Sequence, residues 1–216
     1  MNLYPFGKAV TSVYIRILFH MQYEGLENVP RDRGFIIASN HRSFYDALFM
    51  AHKVKKQLNF MAKSSFFDNR FVGWLFRSLG AFPVQRDRSD RSALLKAKEF
   101  IEKGNVLAMF PEGTRSKDGN PMRAKPGVAM IAGMVGCSVL PVGISYKGKL
   151  SFRKRVTVRY GELLTPEKLG ISTDSTRTIR KASHMIMDAI VAHMDRDCYE
   201  RYGGDASEKG GREDAG

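Results

Sequence analysis

The residues of this chain best equipped for chemistry lie in two short segments: NHRSFYD, with His41 and Asp46, and FPEGTRS, with Glu112 and Arg115. An imidazole beside a carboxylate can take up and return a proton at neutral pH, the carboxylate fixing the tautomer and stabilising the imidazolium. A Pro-initiated turn through Gly113, Thr114 and Arg115 lets backbone approach an anion closely and offers a guanidinium for bidentate phosphate binding. Together the segments point to a transfer reaction on a phosphorylated alcohol.

His41 and Asp46 are five residues apart, which on one regular helix would turn them ~140° from each other. Ser43-Phe44-Tyr45-Asp46 has a capping-box-like pattern that starts a helix at Ser43. His41 then precedes the helix and Asp46 sits in its first turn, leaning back within reach of the ring. The same spacing fits a plain cap beside a surface histidine, and on these residues alone both readings stand. No G-x-S-x-G elbow accompanies them: Gly143-Ile144-Ser145 begins one and Tyr146-Lys147 breaks it. A base without a protein nucleophile acts directly on a substrate hydroxyl, which argues against a lipid hydrolase. Gly143 to Lys149 mimics part of a P-loop, but Leu150 stands where Ser or Thr must ligate Mg²⁺, so no nucleotide site is expected. Cys137 and Cys198 form no disulfide framework or metal spacing, and a reducing, cytosolic setting is the default.

The elements that must position these groups are short apolar runs alternating with helical patterns. Phe35–Ser39, Leu58–Ala62, Val106–Phe110, Ser138–Ile144 and Arg155–Tyr160 have the composition of buried or half-buried strands. Helices are expected over 43–53, 64–79, 90–103, 127–136 and 175–199. The alternation predicts an α/β domain with a central, largely parallel sheet flanked by helices. His41 follows the first strand and Glu112 the third, where open α/β sheets form their sites. Lys63 follows LNFMA, and Arg86 follows the strand-like AFPV, adding cations at two more strand ends.

Thirty-five Lys and Arg against 22 Asp and Glu give a net charge of +13. Such a surface attracts phosphates on anionic lipid, nucleic acid or an acidic carrier protein. Lys147 to Arg159 holds six cations and no acid. It lacks interleaved stacking aromatics, so a nucleic-acid partner is not expected. Leu3 to Met21 is apolar but broken by Lys8, Arg16 and His20. It lacks a signal-peptide cleavage pattern and falls short of ~20 apolar residues for a span. Its helical spacing describes an amphipathic helix on a surface, either the protein's own core or a membrane interface. Phe66, Phe67, Phe71, Trp74, Leu75 and Leu79, with Arg70 and Arg77 beside them, form a second interfacial pattern that a buried core face would also produce. Residues 1–22 are expected as the N-terminal helix, 23–200 as the α/β domain and 201–216 as a disordered Gly-rich tail.

Four blocks in order give the chain a family resemblance: NHRSFYD; Lys63 through FFDNRFVGWLFRSLGAFPVQRD with Arg86; FPEGTRS; and VLPVGI with Pro141. From about Tyr23 to Tyr160 the chain resembles the bacterial 1-acylglycerol-3-phosphate acyltransferases, members of the glycerolipid acyltransferase family. The resemblance implies that His41 is the general base on the glycerol hydroxyl, oriented by Asp46. It implies that Arg86, Glu112, Gly113, Thr114 and Arg115 form the phosphate and glycerol pocket, joined by Lys63 at the end of its own strand-like run. Lys125 matches a lysine that commonly follows the third block. The implied reaction moves a fatty acyl group from acyl-CoA or acyl carrier protein to lysophosphatidic acid, giving phosphatidic acid without a metal or other cofactor. The implied partners are a lysophospholipid acceptor, the acyl donor and an anionic membrane surface, at the cytoplasmic face of the cell membrane in a peripheral or monotopic manner. Many relatives have a longer hydrophobic N-terminal region than Leu3 to Met21. The alternatives are a sister acyltransferase using glycerol 3-phosphate or a lyso-aminolipid, or a basic membrane- or nucleic-acid-binding module without catalysis.

Overall fold

A computed structural model describes residues 3–84 and 91–202, apart from the side chains of residues 75 and 91–93. The expected tail from residue 203 onward and Arg86 lie outside the described residues.

Seven strands form one sheet in the order β1-β7-β6-β2-β5-β3-β4. They are β1 (Phe19–Glu24), β2 (Phe35–Ser39), β3 (Leu58–Lys63), β4 (Ala81–Val84), β5 (Val106–Met109), β6 (Val139–Ser145) and β7 (Lys154–Tyr160). Every pairing is parallel except β6 with β7. The helices are α1 (Tyr4–Leu18), α2 (Asp46–Ala51), α3 (Arg70–Ser78), α4 (Arg91–Glu102), α5 (Gly127–Val135), α6 (Pro166–Leu169) and α7 (Thr176–Ala192). The α/β class with a largely parallel sheet is as expected.

Residues along β2 alternate between two cores, which is why the strand is apolar throughout rather than every second residue. Phe35 and Ile37 join Ile15, Phe49, Met50 and Val106 on the face covered by α1 and α2. Ile36 and Ala38 join Leu107, Ile101, Val128, Ala129, Ile186 and Ile190 on the face covered by α4, α5 and α7. The chain leaving β2 therefore packs on one face, through α2, and the chain leaving its neighbour β5 packs on the other, through α5. Between two such strands a crevice opens at their carboxyl ends, the switch point where open α/β sheets bind ligands.

β1 departs from expectation. The helical pattern continues on paper to Met21, but α1 stops at Leu18 and the chain becomes a strand paired with β7. Phe19, Met21 and Tyr23 also alternate with His20, Gln22 and Glu24, the period-2 signal of a half-buried strand. Pairing with β7 decides between the two periods, and β1, not β7, becomes the sheet edge. Pro141 is tolerated inside β6 because its carbonyl faces the β7 side, accepting from Gly161 N–H at 2.8 Å, and β7 pairs only from Val142 onward. The last long helix ends at Ala192 rather than continuing to Tyr199. There a Cβ on Gly143 would lie 2.3 Å from the His193 carbonyl oxygen, and Asp195 N–H donates to Ser145 Oγ at 2.7 Å, turning the chain away.

Candidate active site

The site begins where β2 runs out. The Asn40 side chain continues the sheet by other means: its amide N–H donates to Ile144 O at 3.0 Å and its oxygen accepts from Ile144 N–H at 2.8 Å. Asn40 is buried, so this double bond to β6 satisfies groups that would cost about 1–3 kcal/mol each if left unpaired. It releases the chain from the sheet with His41 as the next residue.

Residues 41–45 are turns rather than the first turn of a helix, and α2 starts only at Asp46. Asp46 is the reason. Its Oδ2 accepts from Arg42 N–H and Ser43 N–H, both at 2.6 Å, and faces His41 Nδ1 at 3.0 Å. The carboxylate thus folds the segment around itself, and its side chain has no exposed surface. Since the carboxylate is an acceptor, the neutral imidazole carries its proton on Nδ1 and presents a lone pair at Nε2. Nε2 has no hydrogen-bond partner among the described residues. The imidazole stacks on Phe110, with ring centroids 3.8 Å apart and planes 11° from parallel, and 17% of its side chain remains exposed. A ring from the end of β5 therefore holds the imidazole from behind while the other side faces out.

The second segment is a tight turn. Gly113 N–H donates to Phe110 O at 2.9 Å, with Pro111 leading the turn and Gly113 closing it in the left-handed region at φ 72°. The Lys125 side chain lies across Gly113, where a Cβ would come within 2.9 Å of its Cδ. Ser116 N–H donates to His41 O at 2.8 Å, so the chain through Thr114 and Arg115 passes directly beside His41. Thr114 and Arg115 are exposed, as are Lys63 at the end of β3 and Lys125. Arg115, Lys63 and Lys125 have no ion-pair partner among the described residues. Cations thus follow β5 and β3, neighbouring strands spaced about 4.8 Å apart, on the edge of the sheet that carries His41.

Glu112 is placed differently from the ligand-facing position implied for it. It is buried, and both oxygens serve the backbone: Oε1 accepts from His41 N–H at 2.7 Å and Oε2 from Met122 N–H at 3.1 Å. Burial pushes its carboxyl up to about 7 against the opposing pull of those two N–H groups. Glu112 therefore clamps the loop after β2 to the loop after β5. Its neighbour loop is pinned in turn by Asn120, whose side-chain oxygen accepts from Glu200 N–H at 2.7 Å and Arg201 N–H at 3.1 Å. Hydrogen bonds from Asn120 and Ser116 hold the Asp118 carboxyl well below the usual carboxylate range. Arg42, next to His41, is also structural: it donates to Tyr146 O at 2.8 Å and lies over the Tyr146 ring, tying the β6–β7 loop to the site. Asn40, Arg42 and Phe110 lie within or next to the two motifs, but their roles depend on strands distant in sequence. Asp195, Asp197 and Cys198 are the one close trio of potential metal donors among the described residues, and Arg159 already engages Asp195 at 2.5 Å.

Known proteins are similar to this chain. The sequence profile of the family described as Acyltransferase matches residues 20–145. The 1-acyl-sn-glycerol-3-phosphate acyltransferase of Streptococcus pneumoniae is 35% identical over 146 residues, 64% of this chain and 53% of that protein. The chloroplastic 1-acyl-sn-glycerol-3-phosphate acyltransferase of Arabidopsis thaliana is 34% identical over 147 residues, 67% of this chain and 41% of that protein. The chain thus spans about half the length of the curated relatives it matches. The crystal structure of the 1-acyl-sn-glycerophosphate (LPA) acyltransferase PlsC from Thermotoga maritima superposes with a TM-score of 0.68 at 29% identity, covering 87% of this chain and 80% of that one.

The Glu112 clamp has a pH signature. The unfolded chain releases this proton near 4.5 and the folded chain near 7, so between those values the folded state holds more protons and loses stability as pH rises. At 1.36 kcal/mol per unit the full loss is about 3 kcal/mol, complete above the folded value. Glu112→Gln removes the titration, while burial-depressed His52, which titrates at about 4, is common to both proteins and cancels. Urea unfolding across this pH range is expected to show the wild type losing stability relative to the variant by up to that amount. Parallel curves would contradict a buried, proton-holding clamp.

Proposed function

The chain belongs to the acyltransferase family, and from that membership we propose that it moves a fatty acyl group from an acyl thioester to the free hydroxyl of lysophosphatidic acid, giving phosphatidic acid. The observation that carries this reading is the 3.0 Å contact of His41 Nδ1 with Asp46, which leaves Nε2 as a free base beside partner-free cations. The acceptor's phosphate is held by Arg115, with Lys125 and Lys63 contributing charge. Arg86 and Thr114 belong to the same pocket by motif. Its hydroxyl is thereby set against Nε2. Nε2 takes the hydroxyl proton as the oxygen attacks the thioester carbonyl. The tetrahedral intermediate then expels the thiolate, which takes the proton back from Nε2 and leaves an ester and a free thiol. The balance requires neither a cofactor nor a redox partner. Holding acceptor and donor together in the crevice contributes up to ~7–11 kcal/mol of rate enhancement for well-oriented groups.

The donor is a thioester of coenzyme A or acyl carrier protein, both acidic partners for a chain of net charge +13. A membrane surface supplies the acceptor. None of the described helices is long and apolar enough to cross a bilayer. α1 instead exposes Phe6, Val10, Val13, Tyr14 and Ile17 along one side, and Phe66, Phe71 and Trp74 are exposed on and just before α3. These are the apolar faces of a protein seated on the cytoplasmic leaflet, peripherally or monotopically, with Arg and Lys at the headgroups.

A panel of acceptors and labelled acyl thioesters tests the reading, with lysophosphatidic acid expected to exceed glycerol 3-phosphate and lyso-aminolipids as acceptor. His41→Ala is expected to lower turnover by roughly 10²–10⁴-fold with the fold retained. Undiminished turnover would remove the base from the mechanism. Arg115→Ala is expected to raise the acceptor KM about tenfold or more, the effect of one charge-assisted contact, with the donor KM little changed. Equal effects on both substrates would place the phosphate elsewhere.

A further inference from the structure

The exposed stripe of α1 does not end in solvent. At its C-terminal end Val13, Arg16 and Ile17 meet Phe152 and Arg153 of the β6–β7 loop around a surface groove of about 600 Å³. Three apolar side chains and two guanidinium groups line it, with no carboxylate. The absence of negative charge extends well beyond the lining: neither the first 23 residues nor residues 147–161 contain an acid. Neither Arg16 nor Arg153 has an ion-pair partner among the described residues. Phe152, next to both, is 71% exposed.

Arg153 is also the only non-glycine among the described residues in the left-handed region, at φ 58°. Its N–H donates to Leu18 O at 2.6 Å, closing the C-terminus of α1. That capping needs only a backbone N–H, and glycine adopts this conformation without the steric cost an arginine bears. The side chain must therefore supply something glycine cannot. One guanidinium N–H reaches Arg16 O at 3.5 Å, a marginal bond, and a guanidinium carries five N–H donors. A strained cation opposite a second cation, between exposed apolar groups, has the form of an anion site whose ligand is apolar on one side.

We propose that this groove binds the phosphate headgroup of an anionic phospholipid of the bilayer, a lipid other than the substrate, with Arg16 and Arg153 on the phosphate and Val13, Ile17 and Phe152 against the upper acyl chain. A free aqueous anion would have no use for the apolar wall, and that wall continues directly into the α1 stripe. The loop carrying Phe152 and Arg153 is fastened at Tyr146 O to Arg42, the residue after His41. Tyr14 and Tyr45 hydroxyls, 3.4 Å apart, join α1 to the same segment. A lipid held in the groove would thus orient the mouth of the His41 site toward the leaflet from which the acceptor comes. Such a site presupposes membrane contact by α1 but not acyl transfer, so vesicle binding reads it independently of turnover.

The test uses the full chain and sedimentation with phosphatidylcholine vesicles, with and without phosphatidylglycerol, at low ionic strength. Arg153→Gly removes the guanidinium while relieving the backbone, so folding is retained and Tm is expected to hold or rise. Arg16→Gln removes the other cation, and Arg16→Lys keeps its charge. Each neutralising change is expected to lower the partition coefficient onto phosphatidylglycerol-containing vesicles about fivefold, and the pair roughly 30-fold, from ~1 kcal/mol per cation at such a surface. Binding to phosphatidylcholine alone, and transfer to a water-soluble short-chain acceptor, are expected to stay within about twofold. Arg16→Lys is expected to retain most of the binding. The proposal is overturned if the double variant binds anionic vesicles like the wild type, which leaves general membrane contact intact. It is equally overturned if the double variant loses both vesicle types alike, or if the wild type binds neither.

Discussion

One carboxylate oxygen organises the candidate site of this molecule. Asp46 Oδ2 gathers the backbone N–H groups of Arg42 and Ser43 and the Nδ1 side of His41 around a single buried point. That arrangement bends the chain between strand and helix, and it also decides which imidazole nitrogen carries the proton. Local structure and reactivity are therefore set by the same contact. The donors gathered at Oδ2 offset part of the cost of burial, while the other oxygen, Oδ1, is buried with no hydrogen-bond partner among the described residues.

That contact would be useless without the sheet beneath it. Two adjacent parallel strands send their chains to opposite faces, so the loops after β2 and β5 diverge and leave a crevice. Glu112 then reconnects them, with one oxygen on each loop, and Phe110 backs the imidazole from the β5 side. Asn40 fixes the exit of β2 to β6 through a bond pair that imitates the sheet ladder. The imidazole is held by elements from three strands, so its position is fixed by the core rather than by its own loop. The cations, by contrast, are exposed, Lys63 at the end of β3 and Arg115 and Lys125 in the loop after β5.

Much of this was legible in the chain because the relevant signals are local. Phe35–Ser39 was bounded as observed because a doubly buried strand is a short apolar run between polar ends. The helices expected over 90–103 and 127–136 each end one residue short of those bounds, at Glu102 and Val135, shortly before Gly104 and Gly136 in left-handed backbone. The pairing of His41 with Asp46 followed from a helix start falling between them, although that start lies three residues later than the serine pattern indicated. What was not legible depends on partners remote in sequence. β1 satisfied both a helical and a strand period, and only β7, more than a hundred residues away, chose between them. Glu112 has the residue type of a ligand contact, yet its two backbone partners are 71 and 10 residues away, and no motif records that it is buried. The six-cation run also changes meaning: Arg159 is neutralised by Glu24 and Asp195, while Arg153 is held in a strained conformation at the groove.

The reactivity proposed for His41 rests on its protonation state, and nitrogen NMR of the histidine-labelled protein reads it directly. At a pH where His41 is neutral, its ring is expected as the Nδ1–H tautomer, with that proton shifted downfield by Asp46 and Nε2 showing the signature of an unprotonated nitrogen. Asp46→Asn is expected to redistribute the proton toward Nε2. A wild-type ring that carries its proton on Nε2, or that is indifferent to the loss of the carboxylate, would rule out His41 as the base.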